Sequence, residues 1–331
     1  MGSHPRRYRR VRHRLILRAM TPIAHHETSR GNVSIVMTEM VRQPDGRYAK
    51  VAKITGDSLR HGLRKHGAML FLQAAGLLDE PSLSAAALRL LFAGGSISGP
   101  SGATVPLAEY RRLVELVPTM ALLGGCADNR MIPGNMQVEP AIPLCDEARP
   151  LLTAWTTQWL DEQHYVLGAA WHAITLEQRV RMDPTLAGET KALLEPRQLE
   201  LIDAQLDARA VAQTHDEIKD SKCSMMPRQF EVVAVGSHFQ WGLSSNVYSD
   251  LEADTLNLML AAYLSDMQVG GKAGTGHGQL EAVAGSEYQV YRPIDRAGLA
   301  LPHLPNVGAM FREHVASNAV EIKDLLARVV A

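Results

Sequence analysis

The chain has 331 residues, of which 46% are hydrophobic and 21% charged, a composition typical of globular proteins with a substantial core. No uninterrupted apolar run is long enough to cross a membrane, and no apolar segment follows the arginine-rich start as it would in a secretory signal. We therefore expect a cytoplasmic protein with no membrane partner. Cys126, Cys145 and Cys223 lie far apart, with no Cys-x-x-Cys pair, so we expect neither a structural metal nor a cofactor.

The formal net charge is only −1, but the charges are distributed unevenly along the chain. Residues 1–72 hold 15 Lys and Arg against 4 Asp and Glu, whereas residues 146–217 hold 6 against 13. A positive segment suits a polyanion such as nucleic acid. The negative segment suits either solvation or the positive surface of a neighbouring subunit.

Residues 1–12 are interpreted as a basic N-terminal arm, because they contain five arginines and no acid. Such a run can contact phosphates without regard to sequence, although a solvated tail would have the same composition. Alternating apolar and basic residues then predict a first strand from Arg14 to Met20.

A glycine-rich loop at residues 270–278 carries the main functional signal. A capping box at Ser249 and a helical apolar pattern precede this loop, and a predicted strand follows it. Glycines allow close backbone approach, and the loop also supplies a cation and hydrogen-bonding side chains. We interpret it as an anion cradle for phosphate, with the candidate residues Gly270, Gly271, Lys272, Gly274, Thr275, Gly276 and His277.

The familiar nucleotide-binding motifs do not fit this loop. Ala273 follows Lys272 where a Walker loop needs Ser or Thr, and Asp266 stands in place of its first glycine. A dinucleotide fingerprint runs from strand to helix, which is the reverse of the order here. The alternative interpretation is a structural turn that joins a helix to a strand.

A second candidate site opens the helix predicted after Ile54. Ser58 lies in its first turn, and a helix N-terminus can bind phosphate. Arg60 and Arg64 lie one turn apart on its flank, as do His61 and Lys65. An amphipathic surface helix with ordinary charges is the alternative, and the glycine loop makes phosphate contact by Ser58, Arg60, Arg64 and Lys65 the favoured interpretation.

The order of these motifs resembles the RAMP superfamily of CRISPR proteins. In that family a first strand closes in a "TP" turn, here Thr21-Pro22, and a helix opens with "I-x-G-x-S-L-R-x-x-L-R", here residues 54–64. A "GG…G-x-G" loop then precedes the last strand. The chain looks most similar to the backbone subunit that polymerises along the guide RNA, in its type IV version, over residues 12–290.

The resemblance implies an α+β fold: a ferredoxin-like, RRM-like palm over residues 13–300 with large helical insertions, the fingers and thumb. The predicted elements follow the β-α-β-β-α-β order of such a palm. We expect insertions at about 24–53, 76–128 and 146–227, and a C-terminal helical segment at 303–331. Within the segment that resembles the thumb, Lys222, Met225 and Met226 are candidate RNA contacts.

The resemblance further implies a non-catalytic protein. RNA-cleaving relatives carry an aspartate in the first loop, but here that loop contains Arg30, a further candidate RNA contact, and no aspartate before Asp45. The expected partners are guide RNA, a complementary target that is DNA in type IV systems, copies of the chain arranged head to tail, other CRISPR effector subunits and a helicase.

Two enzymatic alternatives remain. A RAMP-type endoribonuclease could process precursor guide RNA with His61 or His66 as general base. A nucleotide-dependent enzyme could use the glycine loop, although the motif comparison disfavours it.

Overall fold

The structure is a computed structural model that describes residues 9–30, 33–78, 83–95, 107–127, 130–179, 228–286 and 307–329, together with residues 197, 200, 292–293 and 299–300. None of the helices in these ranges is both long and apolar enough to span a bilayer. The strands are β1 (Arg9–Ala19), β2 (His26–Arg30), β3 (Val33–Val36), β4 (Thr38–Arg42), β5 (Tyr48–Ala52), β6 (Gly125–Ala127), β7 (Arg130–Ile132), β8 (Met136–Val138), β9 (Ile142–Pro143), β10 (Ile174–Arg179), β11 (Arg228–Val233), β12 (His238–Val247), β13 (Leu280–Ser286), β14 (Arg292–Pro293) and β15 (Leu299–Ala300).

The helices are α1 (Gly56–Ala74), α2 (Ala85–Ala93), α3 (Leu107–Leu116), α4 (Pro118–Leu123), α5 (Ala154–Glu162), α6 (Asp250–Ser265), α7 (Ala309–Ser317) and α8 (Ala319–Val329). Three short 3-10 helices cover residues 146–151, 170–173 and 273–275.

The central sheet has the strand order β13-β1-β12-β8, with β9 also paired to β12. All of these pairings are antiparallel. Helix α1 lies between β1 and β8 in the sequence, and α6 lies between β12 and β13. The sheet is therefore ferredoxin-like, with the first strand in its interior, and the predicted α+β palm is confirmed.

Alternation along β1 separates the two faces of this sheet. Leu15 and Leu17 are fully buried on the face that packs against α1 and α6, together with Trp241 of β12. Gly62 of α1 lies so close to the Tyr263 ring of α6 that a Cβ there would be 2.4 Å from it. Ile16 is buried on the opposite face, where residues around α5 cover it.

A second hydrophobic cluster joins α1 to helices α2, α3, α4, α7 and α8. It contains Phe71 of α1, Leu90 of α2, Leu113 of α3 and Phe311 of α7, all fully buried or nearly so. Both carboxylate oxygens of Asp254 in α6 accept hydrogen bonds from the start of α7, from the N–H groups of Gly308 and Phe311. This cluster fixes the helices on the side of the palm away from the sheet.

A smaller sheet has the order β10-β11-β3-β2, in which β11 and β3 are parallel. Strands β4 and β5 form a separate hairpin. The described part of the predicted insertion at 24–53 therefore contains strands β2 to β5 and no helix.

Several predicted boundaries were wrong. Strand β1 begins at Arg9 and not at Arg14, because its first residues pair with the end of β12. Residues 9–12 are thus strand, while residues 1–8 of the predicted arm lie outside the described residues. The alternation of Phe239, Trp241 and Leu243 with polar residues or glycine predicts one strand from Phe230 to Leu243 with one buried face. The structure divides this segment between two sheets, because Gly236 turns the chain with a φ of +83°. The division into arm, palm and C-terminal segment stays a prediction.

The segment predicted as a helical insertion, residues 146–227, is described only in part. Its described portion holds α5, two of the short 3-10 helices and strand β10. Strand β10 was not predicted. It joins β11 in the smaller sheet, and through that sheet it reaches the candidate site.

Candidate nucleic-acid interface

The glycine-rich loop leaves α6 and returns to the central sheet at β13. Residues 270–276 are exposed. Gly270, Gly276 and Gly278 have φ angles of +73°, +82° and +88°, in the left-handed region that favours glycine. Added Cβ atoms would be 2.5 Å from the Ala24 carbonyl oxygen at Gly270, and 2.0 Å from the Val269 carbonyl oxygen at Gly278. Two of the glycines are therefore required by close backbone contact.

This loop is bonded directly to the turn that follows β1. The N–H of Gly271 donates to the Ala24 carbonyl at 2.7 Å, and the N–H of Gly278 donates to the Pro22 carbonyl at 2.9 Å. Farther on, the Gln279 N–H donates to the Thr21 hydroxyl at 2.9 Å. The Thr21-Pro22 turn and the glycine loop, far apart in sequence, thus form one structural unit.

Several backbone N–H groups of the predicted anion cradle already donate hydrogen bonds within the protein. Besides Gly271 and Gly278, the N–H groups of Thr275 and Gly276 donate to carbonyls within the loop. The N–H groups of Ala273 and Gly274 donate no such hydrogen bond to a backbone carbonyl within the described part of the chain. A Cβ at Gly274 would meet nothing within 4 Å. The tip at residues 273–274 is therefore an open part of the loop, and its contact with phosphate stays a prediction.

Two side chains attach the loop to the smaller sheet. The Lys272 ammonium lies 3.1 Å from the centroid of the Phe230 ring on β11, a cation–π contact. His277 is buried, and its Nε2 donates to Glu177 of β10 at 3.0 Å. The His277 ring is therefore turned inward and holds the loop in place, and its contact with phosphate stays a prediction.

Thr275 is likewise engaged within the loop. Its hydroxyl donates to the Lys272 carbonyl at 2.9 Å and lies 3.3 Å from Nδ1 of His277. This bond closes the 3-10 turn that presents residues 273–274. Thr275 therefore has a structural role in the loop, and its contact with phosphate stays a prediction.

The N-terminus of α1 is joined to the same unit through a histidine. Thr55 caps the helix, and its hydroxyl accepts from the Ser58 N–H at 3.3 Å. The Thr55 N–H in turn donates to Nε2 of His25 at 3.2 Å. Burial, followed by the charges of His26 and Lys53, lowers the pKa of His25, which favours the neutral ring that this acceptor role needs.

The guanidinium groups of Arg60 and Arg64 both donate hydrogen bonds to backbone carbonyls of the protein. The guanidinium of Arg60 donates to the carbonyls of Met136 and Leu123. That of Arg64 donates to Gly124 at 2.9 Å and to Leu123 at 3.0 Å. Both arginines therefore have a structural role, in which their positive charge stabilises the C-terminal end of α4. Their contact with phosphate stays a prediction.

Burial also changes the electrostatics of this pair. It lowers the pKa of Arg64 to about 10, and the neighbouring charge of Arg60 acts in the same direction. The pKa of Arg60 is lowered by burial, with Asp57 opposing that change. Two cations at this depth are tolerated because each is hydrogen-bonded to backbone carbonyls.

The other predicted contacts fall into two groups. Lys65 is exposed on α1, one turn from the exposed His61, so its geometry is compatible with an anion contact. Arg30 ends β2 opposite Val33, and its side chain lies outside the described part. Lys222, Met225 and Met226 also lie outside the described residues.

Three residues that shape the site were not among the predicted contacts: His25, Glu177 and Phe230. The signal for His25 was its position directly after the Thr21-Pro22 turn. Glu177 and Phe230 gave no comparable signal, because the pairing of β10 with β11 that brings them to the loop spans chain-distant residues.

The residues of the enzymatic alternatives are placed as follows. Nδ1 of His66 lies 2.9 Å from the Gly62 carbonyl of its own helix, and its ring packs 5.4 Å from that of Tyr263. His61 is exposed. Among the described residues, no three His, Cys, Asp or Glu side chains are grouped closely enough to hold a metal ion.

No protein-family model and no curated protein sequence matches the chain significantly. Comparison of three-dimensional structures does find similar chains. One of them belongs to a solved structure described as a type IV-B CRISPR complex, and it superimposes with a TM-score of 0.54 at 16% sequence identity. The match covers 89% of this chain and 98% of the other. The two chains share a fold over nearly their whole lengths.

Proposed function

We propose that the protein is a guide-RNA-binding backbone subunit of a type IV CRISPR effector complex, and that it is not an enzyme. The observation that carries the proposal is the fold shared with a chain of a type IV-B CRISPR complex over 98% of that chain. The joining of the Thr21-Pro22 turn, the α1 N-terminus and the glycine loop supports it, because the three motifs that suggested the RAMP family meet in one place.

In this proposal the guide RNA runs past the loop tip at Ala273 and Gly274 and past the exposed Lys65 on α1. Backbone N–H groups and a flexible cation bind phosphates without reading the bases. The base edges then remain available to pair with a complementary strand, so sequence specificity resides in the RNA.

Copies of the chain are proposed to assemble head to tail along the RNA, with other effector subunits and a helicase as further partners and DNA as the target. The basic residues 1–72 and the acidic residues 146–217 supply complementary charges for such contacts. A head-to-tail contact generates a helical filament when successive rotations do not close a ring, and this filament is the arrangement proposed here.

The test is to purify the chain with and without co-expressed guide RNA, to measure the length of any copurified RNA, and to determine the mass in solution. We expect RNA of discrete length in an assembly of many copies. The double variant Lys65→Gln/Lys272→Gln should lose most of the bound RNA. A matched control, Arg312→Gln/Lys323→Gln on the exposed surfaces of α7 and α8, should retain it.

A nucleic-acid-free monomer in the presence of guide RNA would refute the proposal. Cleavage of precursor RNA that is abolished by His61→Ala or His66→Ala would instead support the endoribonuclease alternative. Of these two, His61 is the better placed to reach a substrate, since the ring of His66 packs against Tyr263.

A further inference from the structure

The hairpin of β4 and β5 presents two different faces. The register pairs Met40 with Lys50 and Arg42 with Tyr48, so these four side chains project from one face. Val41 and Val51 project from the other face and are buried against Ile142 and Cys145. One face is therefore anchored in the protein, and the other is turned outward.

The outward face, defined by Met40, Arg42, Tyr48 and Lys50, is large and exposed. Tyr48 is 63% exposed and Met40 is 53% exposed, high values for side chains of this size. Arg42 and Lys50 are also exposed. The face thus combines an accessible aromatic ring with two cations.

Acidic side chains near the hairpin are directed elsewhere. Glu39 lies on the anchored side by alternation, where its carboxylate accepts a hydrogen bond from the Lys53 ammonium. Asp45 lies in the turn, where it accepts from the Arg47 N–H at 3.0 Å. The four positions of the outward face therefore carry a charge of +2.

The hairpin starts from the candidate nucleic-acid interface. The Met37 N–H, just before β4, donates to the carbonyl of His25 at 2.8 Å, and the Lys53 N–H, just after β5, donates to the Met37 carbonyl at 2.9 Å. His25 is the residue that holds the α1 N-terminus. A β-strand of five residues extends roughly 17 Å. An RNA strand bound at the interface could therefore continue along the hairpin.

We propose that the outward face is a second binding surface for single-stranded RNA, in which Tyr48 stacks on a base and Arg42 and Lys50 contact adjacent phosphates. Aromatic side chains flanked by cations are the usual components of sequence-tolerant single-strand binding. Tyr, Met and Arg are also enriched in protein–protein interfaces, so the choice of RNA rests on the charge of +2 and on the hydrogen bonds that join the hairpin to the candidate nucleic-acid interface. A protein partner is an outcome of the test below. The inference rests on the proposed function, since the strand that reaches the hairpin is the guide RNA.

The test uses the full chain and a single-stranded RNA oligonucleotide that contains 2-aminopurine, whose fluorescence is quenched by stacking. Tyr48→Ala should weaken binding about ten-fold and reduce the protein-induced quenching. Tyr48→Phe should retain both, because it keeps the ring. The matched control Tyr248→Ala removes another exposed tyrosine and should behave as the unmodified chain.

The cations are tested by the salt dependence of the same binding. Arg42→Gln/Lys50→Gln should reduce the slope of log affinity against log salt by about 1.4, or about 0.7 for each phosphate that is no longer neutralised. The control variant Arg89→Gln/Lys323→Gln removes two exposed cations on helices α2 and α8 and should leave the slope unchanged. Thermal unfolding of each variant checks that the fold is intact.

The outcomes separate this inference from the proposed function. If the unmodified chain binds no RNA, both are overturned. If it binds RNA but the hairpin variants bind equally well, with the same quenching and slope, only the second surface is overturned. If the variants bind RNA normally but fail to form the large assembly, the outward face contacts protein, and the inference is again wrong.

Discussion

The backbone N–H of Gly278 donates to the carbonyl oxygen of Pro22 at 2.9 Å, and this bond joins the last turn of the glycine loop to the turn after the first strand. It forms because Gly278 has a φ of +88° and lacks a Cβ that would collide with Val269. The glycine therefore allows a connection between two motifs that the sequence places at opposite ends of the palm.

Gly278→Ala should be strongly destabilising, since it combines a disfavoured φ with a Cβ 2.0 Å from a carbonyl oxygen. We expect a loss of at least about 2 kcal/mol in the free energy of unfolding. Gly274→Ala is the matched control, because a Cβ there has no neighbour within 4 Å. Denaturant titration of both variants measures the difference, and equal stabilities would contradict the assignment.

Arg64→Ala should lower stability and not RNA affinity. Its guanidinium donates to two carbonyls at the end of α4, and removal of such charged hydrogen bonds costs about 2 kcal/mol. Arg64→Lys should restore only part of this, because an ammonium cannot reproduce the fork geometry. A variant that keeps its stability but binds RNA with a smaller salt slope would show that Arg64 contacts phosphate after all.

Glu177→Gln should loosen the glycine loop while preserving side-chain shape. It replaces a charged acceptor for His277 with a neutral one, which weakens the bond by about 1 kcal/mol. We expect about five-fold faster amide hydrogen exchange at residues 275–278, with exchange in α1 unchanged. Glu162→Gln, on the exposed surface of α5, is the control and should not alter exchange in the loop.

Stability should decrease in mild acid because of His13. Burial lowers its pKa from 6.5 to about 4, and the Asn257 side chain opposes this change only partly. Below pH 6.5 the unfolded chain binds a proton at His13, whereas the folded chain binds this proton only near pH 4. The free energy of unfolding should therefore fall by about 3 kcal/mol across that window, and His25, whose pKa is also lowered, adds to the fall.

The measurement is denaturant unfolding at several pH values between 4 and 7.5. His13→Leu should reduce the pH dependence, because its side chain cannot bind a proton in either state. His61→Leu alters an exposed histidine and should leave the profile unchanged. A profile that is equally steep in His13→Leu would assign the acid sensitivity to other groups.

Local patterns predicted much of the fold. Ser249 is the N-cap as predicted, with the Glu252 N–H bonded to the Ser249 hydroxyl. The Glu252 carboxylate accepts from the Tyr248 N–H, one residue before the cap, where a capping box has the N–H of the cap itself. The alternation of Phe239, Trp241 and Leu243 predicted one buried face, although all of β12 from Phe239 to Ser245 is buried because helix α5 also covers the sheet. Such signals succeed because they depend on neighbours within a few residues.

The chemical roles within the site were harder to predict. Arg60 and Arg64 have the spacing of a phosphate contact, but the fold brings the end of α4 to them, and no local pattern contains that approach. His277 looked like a loop side chain, but its partner, Glu177, is on a strand 100 residues earlier. Roles that depend on contacts between distant segments become visible only in three dimensions.

The position of β1 inside the central sheet also affects how the chain is made. Both neighbours of β1, β12 and β13, come from residues 238–286. During synthesis the ribosome must therefore extend the chain by more than 200 residues before Leu15, Ile16 and Leu17 acquire either edge partner. Such distant pairing slows folding and leaves apolar strand edges open to aggregation, so the yield of soluble protein should depend on slow expression or on chaperones that shield the nascent first strand.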